Sequence, residues 1–138
     1  IVLKQAALRR LGVLARNWAE AAGPEVVDAD KASQQFETGQ LAVVVVASPK
    51  PCDKFPQIEQ TYSAGAVCLS LLNAALASGW GANWLSGWAS HNREFCTEGL
   101  ALAPHEHVAG IVHIGTGPAQ MPDRPRPDVA AITQWIHE

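Results

Sequence analysis

The run Leu41-Ala42-Val43-Val44-Val45-Val46-Ala47, bounded by Gly39 and by Ser48-Pro49, constrains this chain more than any other segment. Four consecutive valines favour extended backbone, because branching at Cβ stiffens χ1 and packs well on a pleated surface. Hydrophobicity that is continuous rather than alternating predicts a strand covered on both faces, as at the centre of a sheet with helices on each side. Val108 to Ile114 predicts a second central strand of the same kind. Ser48-Pro49-Lys50-Pro51 forces a loop after the first. The apolar stretch from about Ile58 to Ser78 reads as a helix between the two.

Weaker signals fill in the rest. Ile1 to Leu3 is consistent with a strand end. From Lys4 to Ala22 the residues Ala7, Leu11, Leu14, Trp18 and Ala21 recur at steps of three and four, an amphipathic helix stopped by Gly23-Pro24. A short helix or irregular segment is expected about Lys31 to Glu37. Trp80, Trp84 and Trp88 are four apart, but Gly79, Gly81 and Gly87 would each cost about 1 kcal/mol in a helix interior, so a turn into a short strand is expected there. Ser90 to Glu98 predicts a helix with Ser90 as N-cap, and Asp128 could cap a last helix reaching Trp135. The sum is one α+β or α/β layered domain over residues 1–138, with helices on a mixed sheet.

Composition excludes several classes. A net charge of −3 without any Lys/Arg run argues against a nucleic-acid face. The apolar run Ala64 to Ala77 carries Ser70 and Asn73 and falls short of the ~20 residues a membrane helix needs. Lys4, Arg9 and Arg10 interrupt any secretory pattern. Cys52, Cys68 and Cys96 match no zinc or redox spacing and read as reduced thiols of a cytoplasmic protein. Hydrophobic residues make up 48% of the 138 and charged residues 17%, which favours burial against a second subunit. Ala66, Ser70, Ala74 and Ser78 share one helix face; such small side chains suit close packing, either on the sheet or a sister helix inside the monomer, or at a dimer interface.

No Ser/His/Asp or Cys/His set stands in a hydrolase motif, and no catalytic side chain is expected. There is no Gly-x-Gly-x-x-Gly, and Gly115-Thr116-Gly117 lacks the lysine and spacing of a P-loop. His105-Glu106-His107 would place two imidazoles on one face if extended, but with no third ligand nearby no metal is expected. His113, inside a strand, reads as a core histidine. Gly79-Trp80-Gly81-Ala82-Asn83-Trp84-Leu85-Ser86-Gly87 is more suggestive, because glycines let backbone approach a flat ligand and tryptophans can wall it in. Arg124-Pro125-Arg126-Pro127 adds two extended guanidinium groups that could meet an anionic tail. Alternatively, these segments are a tight loop closing the core and a solvated tail.

The order of these pieces resembles the flavin-dependent nitroreductase family, in particular its small single-domain members. The matching segments are Phe55-Pro56-Gln57-Ile58-Glu59-Gln60 before Ser63-Ala64-Gly65-Ala66, then Gly79 to Gly87, Val108 to Thr116, and Arg124-Pro125-Arg126-Pro127-Asp128. The resemblance as a whole covers most of the chain, from about Ile1 to Trp135. The resemblance implies a three-layer α/β/α sandwich with a central mixed sheet, formed as an intertwined homodimer with FMN at the interface. It implies an oxidoreductase that passes electrons from NADH or NADPH to a nitroaromatic, quinone or similar flat acceptor. Carried over residue by residue, it assigns Trp84, Leu85, Ser86 and Gly87 to the flavin ring, with the Ser86 and Gly87 amides at N5, and Arg124 and Arg126 to the phosphate. Ala74 to Gly79 matches a segment associated with the nicotinamide donor in one branch. The family's N-terminal Arg-Arg-Ser-x-Arg signature and Ser/Pro-Trp segment have no counterpart here, so the chain is expected to lack an N-terminal helix and flavin-binding arm. That departure leaves a second expectation: a non-catalytic, flavin-poor chain that keeps the fold as a dimeric binding or structural protein.

Overall fold

The computed structural model describes residues 1–117 and 125–137. The elements follow in the order β1 (Val2–Lys4), α1 (Gln5–Ala22), α2 (Ala29–Glu37), β2 (Leu41–Ala47), α3 (Gln57–Ala77), β3 (Gly81–Leu85), α4 (Trp88–His91), α5 (Arg93–Leu100), β4 (His107–Gly115) and α6 (Val129–Ile132). The strands form one sheet in the order β1-β2-β4-β3.

Every pairing among these strands is antiparallel, where a mixed sheet was expected. The reason lies in β4. Strands β2 and β3 run in the same direction, since both are antiparallel to β4, and α3 is the crossover between them. They would pair in parallel if adjacent, but β4 enters between them, with Val43 opposite Val112 on one side and Trp84 opposite Val112 on the other.

Alternation along β2 sets the two faces. Ala42 and Val44 are buried with Ile111 in a core that also takes Leu8, Leu11 and Ala15 of α1, Phe36 of α2, and Phe95 and Leu100 of α5. Phe36 and Phe95 are fully buried, their ring centroids 5.5 Å apart. Arg10 donates to the Gly99 carbonyl and Trp18 Nε1 to Glu98, tying α1 to α5. The opposite face is covered by α3, which packs on β2, β3 and β4. Its cover is thinner, and only alternate residues of β2 are fully buried. A run of valines promised full burial on both faces; one helix across three strands delivers only part of it.

Local chemistry explains the helix ends. The Asp28 carboxylate accepts from the Lys31 amide and starts α2 at Ala29, two residues before the expected point. Helix α5 is capped by Asn92, whose side chain accepts from the Phe95 amide at 2.7 Å, and not by Ser90. Ser90 instead lies in the single turn α4, where it is buried. Asp128 does cap the last helix, accepting from the Ala130 amide, but α6 ends at Ile132 and not near Trp135.

The stripe Ala66, Ser70, Ala74 and Ser78 faces outward in this chain; the sheet side of α3 is carried by Cys68 and Ala75. Packing of the stripe against the chain's own sheet is thereby excluded. Ile58, Tyr62, Val67, Leu69 and Leu76 on the same helix are exposed too.

Candidate functional site

Strand β3 lies on the edge of the sheet and carries the first half of the expected ring-binding segment. Trp84 projects to the α3 side, in register with Val112, and its indole lies over Gly110 of β4. No side chain other than glycine's hydrogen leaves room for the indole there. The ring is therefore part of the packing beneath α3, and its Nε1 is buried without a hydrogen-bond partner among the described residues. Trp80 is 54% exposed at the other end of β3. Within this chain the two tryptophans do not face a common slot: Trp84 packs over the neighbouring strand, and Trp80 is exposed at the far end of β3.

Past Leu85 the chain leaves the sheet. Ser86 is exposed, Gly87 is extended, and α4 begins at Trp88. Among the described residues neither the Ser86 nor the Gly87 amide N–H has a protein acceptor. A Cβ at Gly87 would meet nothing within 4 Å, so the turn is open to an approaching group. Two unpaired donors on an open turn are the ingredients of a site for developing negative charge. The Ser86 hydroxyl is hydrogen-bonded to His91 Nε2 at 3.0 Å. Neither sequence reasoning nor the resemblance singled out His91, because five residues of separation across a turn is no helical or strand spacing.

Arg126 lies in the exposed segment leading to α6 and lines neither of the two principal clefts. Arg124 falls outside the described residues. Trp84 to Gly87 are thus held together by one strand end, while the arginines come from a distant part of the chain.

The first cleft, about 660 Å³, opens between the end of β2 and the start of α3 and is lined by Ala47, Ser48, Cys52, Phe55, Gln60 and His107 among others. Gln60 braces its rim, exchanging hydrogen bonds with the Lys50 amide and carbonyl and donating to the Phe55 carbonyl. Nearby, His105 Nε2 is 3.2 Å from Ser48 Oγ, and Glu106 accepts from the Ala103 amide, which holds its carboxyl below the usual range. The two imidazoles of His105-Glu106-His107 are therefore engaged differently, and among the described residues no three ligands gather around a metal position. Cys68 and Cys96 are buried, which raises their thiol pKa values, and Cys52 is exposed.

The second cleft, about 680 Å³, lies at the opposite end of β3, between Gln35, Gly39 and Gln40 on one side and Leu76, Trp80 and Gly81 on the other. His113 reaches its floor, beside Phe36 and Gly39. Burial lowers the pKa of this imidazole below 6.5, and among the described residues Nε2 has no hydrogen-bond partner. The native ring therefore takes up a proton less readily than the unfolded chain, which does so near pH 6.5. The stabilisation from the neutral ring is fully present above pH 6.5 and is lost as pH falls through the folded-state value. Urea unfolding at pH 8 and pH 5 should show a larger loss for the wild type than for His113→Gln, which cannot titrate; equal losses would move the acid sensitivity elsewhere.

No family model matches the chain. It is 30% identical over 107 residues to YdjA of Escherichia coli K12, which carries the provisional name NAD(P)H nitroreductase; the match takes in 78% of this chain. The chain spans 58% of the length of the curated relatives it matches. A nitroreductase-like family protein from Bacillus cereus superposes with a TM-score of 0.76 at 21% identity, over 99% of this chain and 71% of that one. A protein from Desulfovibrio desulfuricans assigned as a nitroreductase and solved with FMN superposes at 0.66 and 18% identity, over 96% and 68% of the two chains. Among the described residues no helix is long and apolar enough to cross a membrane. Fold and sequence thus agree, and the chain is a relative of the nitroreductase family.

Proposed function

We propose that this chain forms the flavin-bearing body of an FMN-dependent oxidoreductase of nitroreductase type. NADH or NADPH is the donor, and a nitroaromatic, quinone or similar flat molecule is the acceptor. The observation that carries the reading is the turn after β3, where among the described residues the Ser86 and Gly87 amides lack protein acceptors and nothing lies within 4 Å of where a Gly87 Cβ would stand. Further support comes from the FMN complex of the Desulfovibrio protein and the name of YdjA. Bound there, FMN would supply the redox chemistry, taking a hydride from the nicotinamide and handing electrons to the acceptor. The chain's own part is positioning: the two N–H groups donate to the ring edge where negative charge grows, and Leu85 continues the turn into the rigid sheet. Arg126, and with it Arg124, supplies guanidinium to the phosphate.

The turn is an open surface and not an enclosed slot, so a second copy of the chain is needed to exclude water from the ring. The exposed face of α3, with its small-residue stripe amid Ile58, Tyr62, Leu69 and Leu76, suits a homodimer interface. Ser70→Leu is expected to leave the melting temperature of the isolated chain nearly unchanged and to weaken self-association by about tenfold or more. Sedimentation velocity across a concentration series checks this; an unaltered dimer would place the interface elsewhere.

Arg126→Ala is expected to weaken FMN binding by about tenfold or more, the scale of one charge-assisted hydrogen bond. Fluorescence titration of FMN against both proteins reads it directly, and an unchanged Kd removes Arg126 from the site. The function as a whole is tested by the visible spectrum of the purified protein, recorded anaerobically before and after NADPH and then NADH. Flavin bands that bleach establish the oxidoreductase and name its donor. Protein that stays colourless after FMN is supplied favours the flavin-poor, non-catalytic alternative.

A further inference from the structure

We infer that His91 is a positioning residue, and that its hydrogen bond to Ser86 sets the direction in which the Ser86 and Gly87 amides point. The inference rests on the reading of that turn given above and extends it to a residue that would not itself touch the cofactor.

The turn has little else to hold it. Ser86 is exposed, its amide and that of Gly87 make no protein hydrogen bond among the described residues, and Gly87 has no side chain to pack. What remains is the Gly87 carbonyl, which accepts from the Ser90 amide at 2.9 Å, and the contact between Ser86 Oγ and His91 Nε2 at 3.0 Å. A glycine beside a serine in an otherwise unbonded turn samples many backbone conformations, and a donor pair that wanders stabilises charge poorly.

The other end of that contact is rigid. His91 closes the one-turn helix α4, whose Ala89 and Ser90 are buried and whose Trp88 carbonyl accepts from the Asn92 amide. Asn92 in turn caps α5 through the amide of the fully buried Phe95. Arg93, the next residue, donates to the carbonyls of Leu102, Ala103 and Glu106 and so fastens the start of α5 to the loop before β4. His91 is therefore an arm of the core, and Ser86 is the point where that arm holds the turn. Its side chain makes one contact with the turn and none with the ring-facing amides, which is the arrangement of a residue that acts through another.

The test uses His91→Ala, His91→Gln, Ser86→Ala and the His91→Ala/Ser86→Ala double variant, each first without and then with FMN. In the absence of FMN, ¹⁵N relaxation should show Ser86 and Gly87 losing order to the same extent in His91→Ala and Ser86→Ala, with no further loss in the double variant. Melting temperatures should stay close to wild type, since the bond lies at the surface. With FMN, each single variant should weaken binding about threefold to tenfold, the reach of one hydrogen bond, and make the midpoint potential of the bound flavin more negative. His91→Gln, which can still bond Ser86, should restore part of the order and of the potential. Unchanged relaxation and potential in His91→Ala overturn the inference, whatever happens to stability. Should the protein bind no FMN at all, the functional reading fails, and the relaxation data alone still decide whether His91 holds the turn.

Discussion

Gly110→Ala is expected to lower the unfolding free energy by about 3 kcal/mol or more, near the upper end for overpacking in a core. The added methyl would fall inside the Trp84 indole, 2.6 Å from Cδ1, and cannot be accommodated by a flexible chain end. Trp84 has nowhere to retreat, with α3 above it and β4 beneath. The variant must either push the edge strand β3 off the sheet or expel the tryptophan. Either movement displaces the turn at Ser86 and Gly87, since both residues continue directly from β3. Removing the ring should relieve the clash, so Gly110→Ala/Trp84→Ala should cost less than the sum of the two single changes. Chemical denaturation of the three variants measures that cycle, and simple additivity would mean that the methyl and the indole do not meet.

Phe36→Ala is the second large effect, about 3 to 5 kcal/mol, from loss of apolar burial together with the cavity left behind. Phe36 is fully buried where α2 meets the sheet, against Phe95 of α5 and 6.5 Å from the His113 ring. No small neighbour can swing in to fill the space, because Phe95 is itself fixed in the core. A second consequence separates this from generic destabilisation. The cavity lets water approach the His113 imidazole, so the burial that lowers its pKa is partly undone and the stability lost between pH 8 and pH 5 shrinks. Urea midpoints at the two pH values check both effects, and a wild-type pH dependence in Phe36→Ala would show that Phe36 does not shield the ring.

Much of the candidate site was legible before any coordinates. The glycines of residues 79–87 argued for a turn and a strand in place of a helix, and β3 and its following turn are found there. The family resemblance singled out the Ser86 and Gly87 amides, and among the described residues they have no protein acceptor. What surrounds each tryptophan was not legible, for a physical reason. Spacing says where a ring is attached along the backbone, but whether it walls a ligand or fills a core depends on the residue across the sheet. For Trp84 the indole reaches past its register partner Val112 and lies over Gly110, 26 positions away. His91 left no trace in the pattern, since its importance comes from the angle at which α4 leaves the turn.

The same division runs through the whole chain. Element types and most of their bounds followed from the sequence alone, because helix periodicity, β-branched runs and breakers act over a few residues. Leu41–Ala47 is a strand and Gln57–Ala77 a helix on local grounds. Where competing local signals lay two residues apart, as Ser90 and Asn92 did, the tertiary structure chose: Ser90 was drawn into the core, and Asn92 was left at the surface end of α5 to cap it. Strand order was decided only there as well. Local rules make β2-α3-β3 a crossover unit, yet nothing local says that β4, arriving some twenty residues later, will insert between its strands and pair antiparallel with both. Contacts between distant residues carry that choice, and they come into being only when the sheet closes.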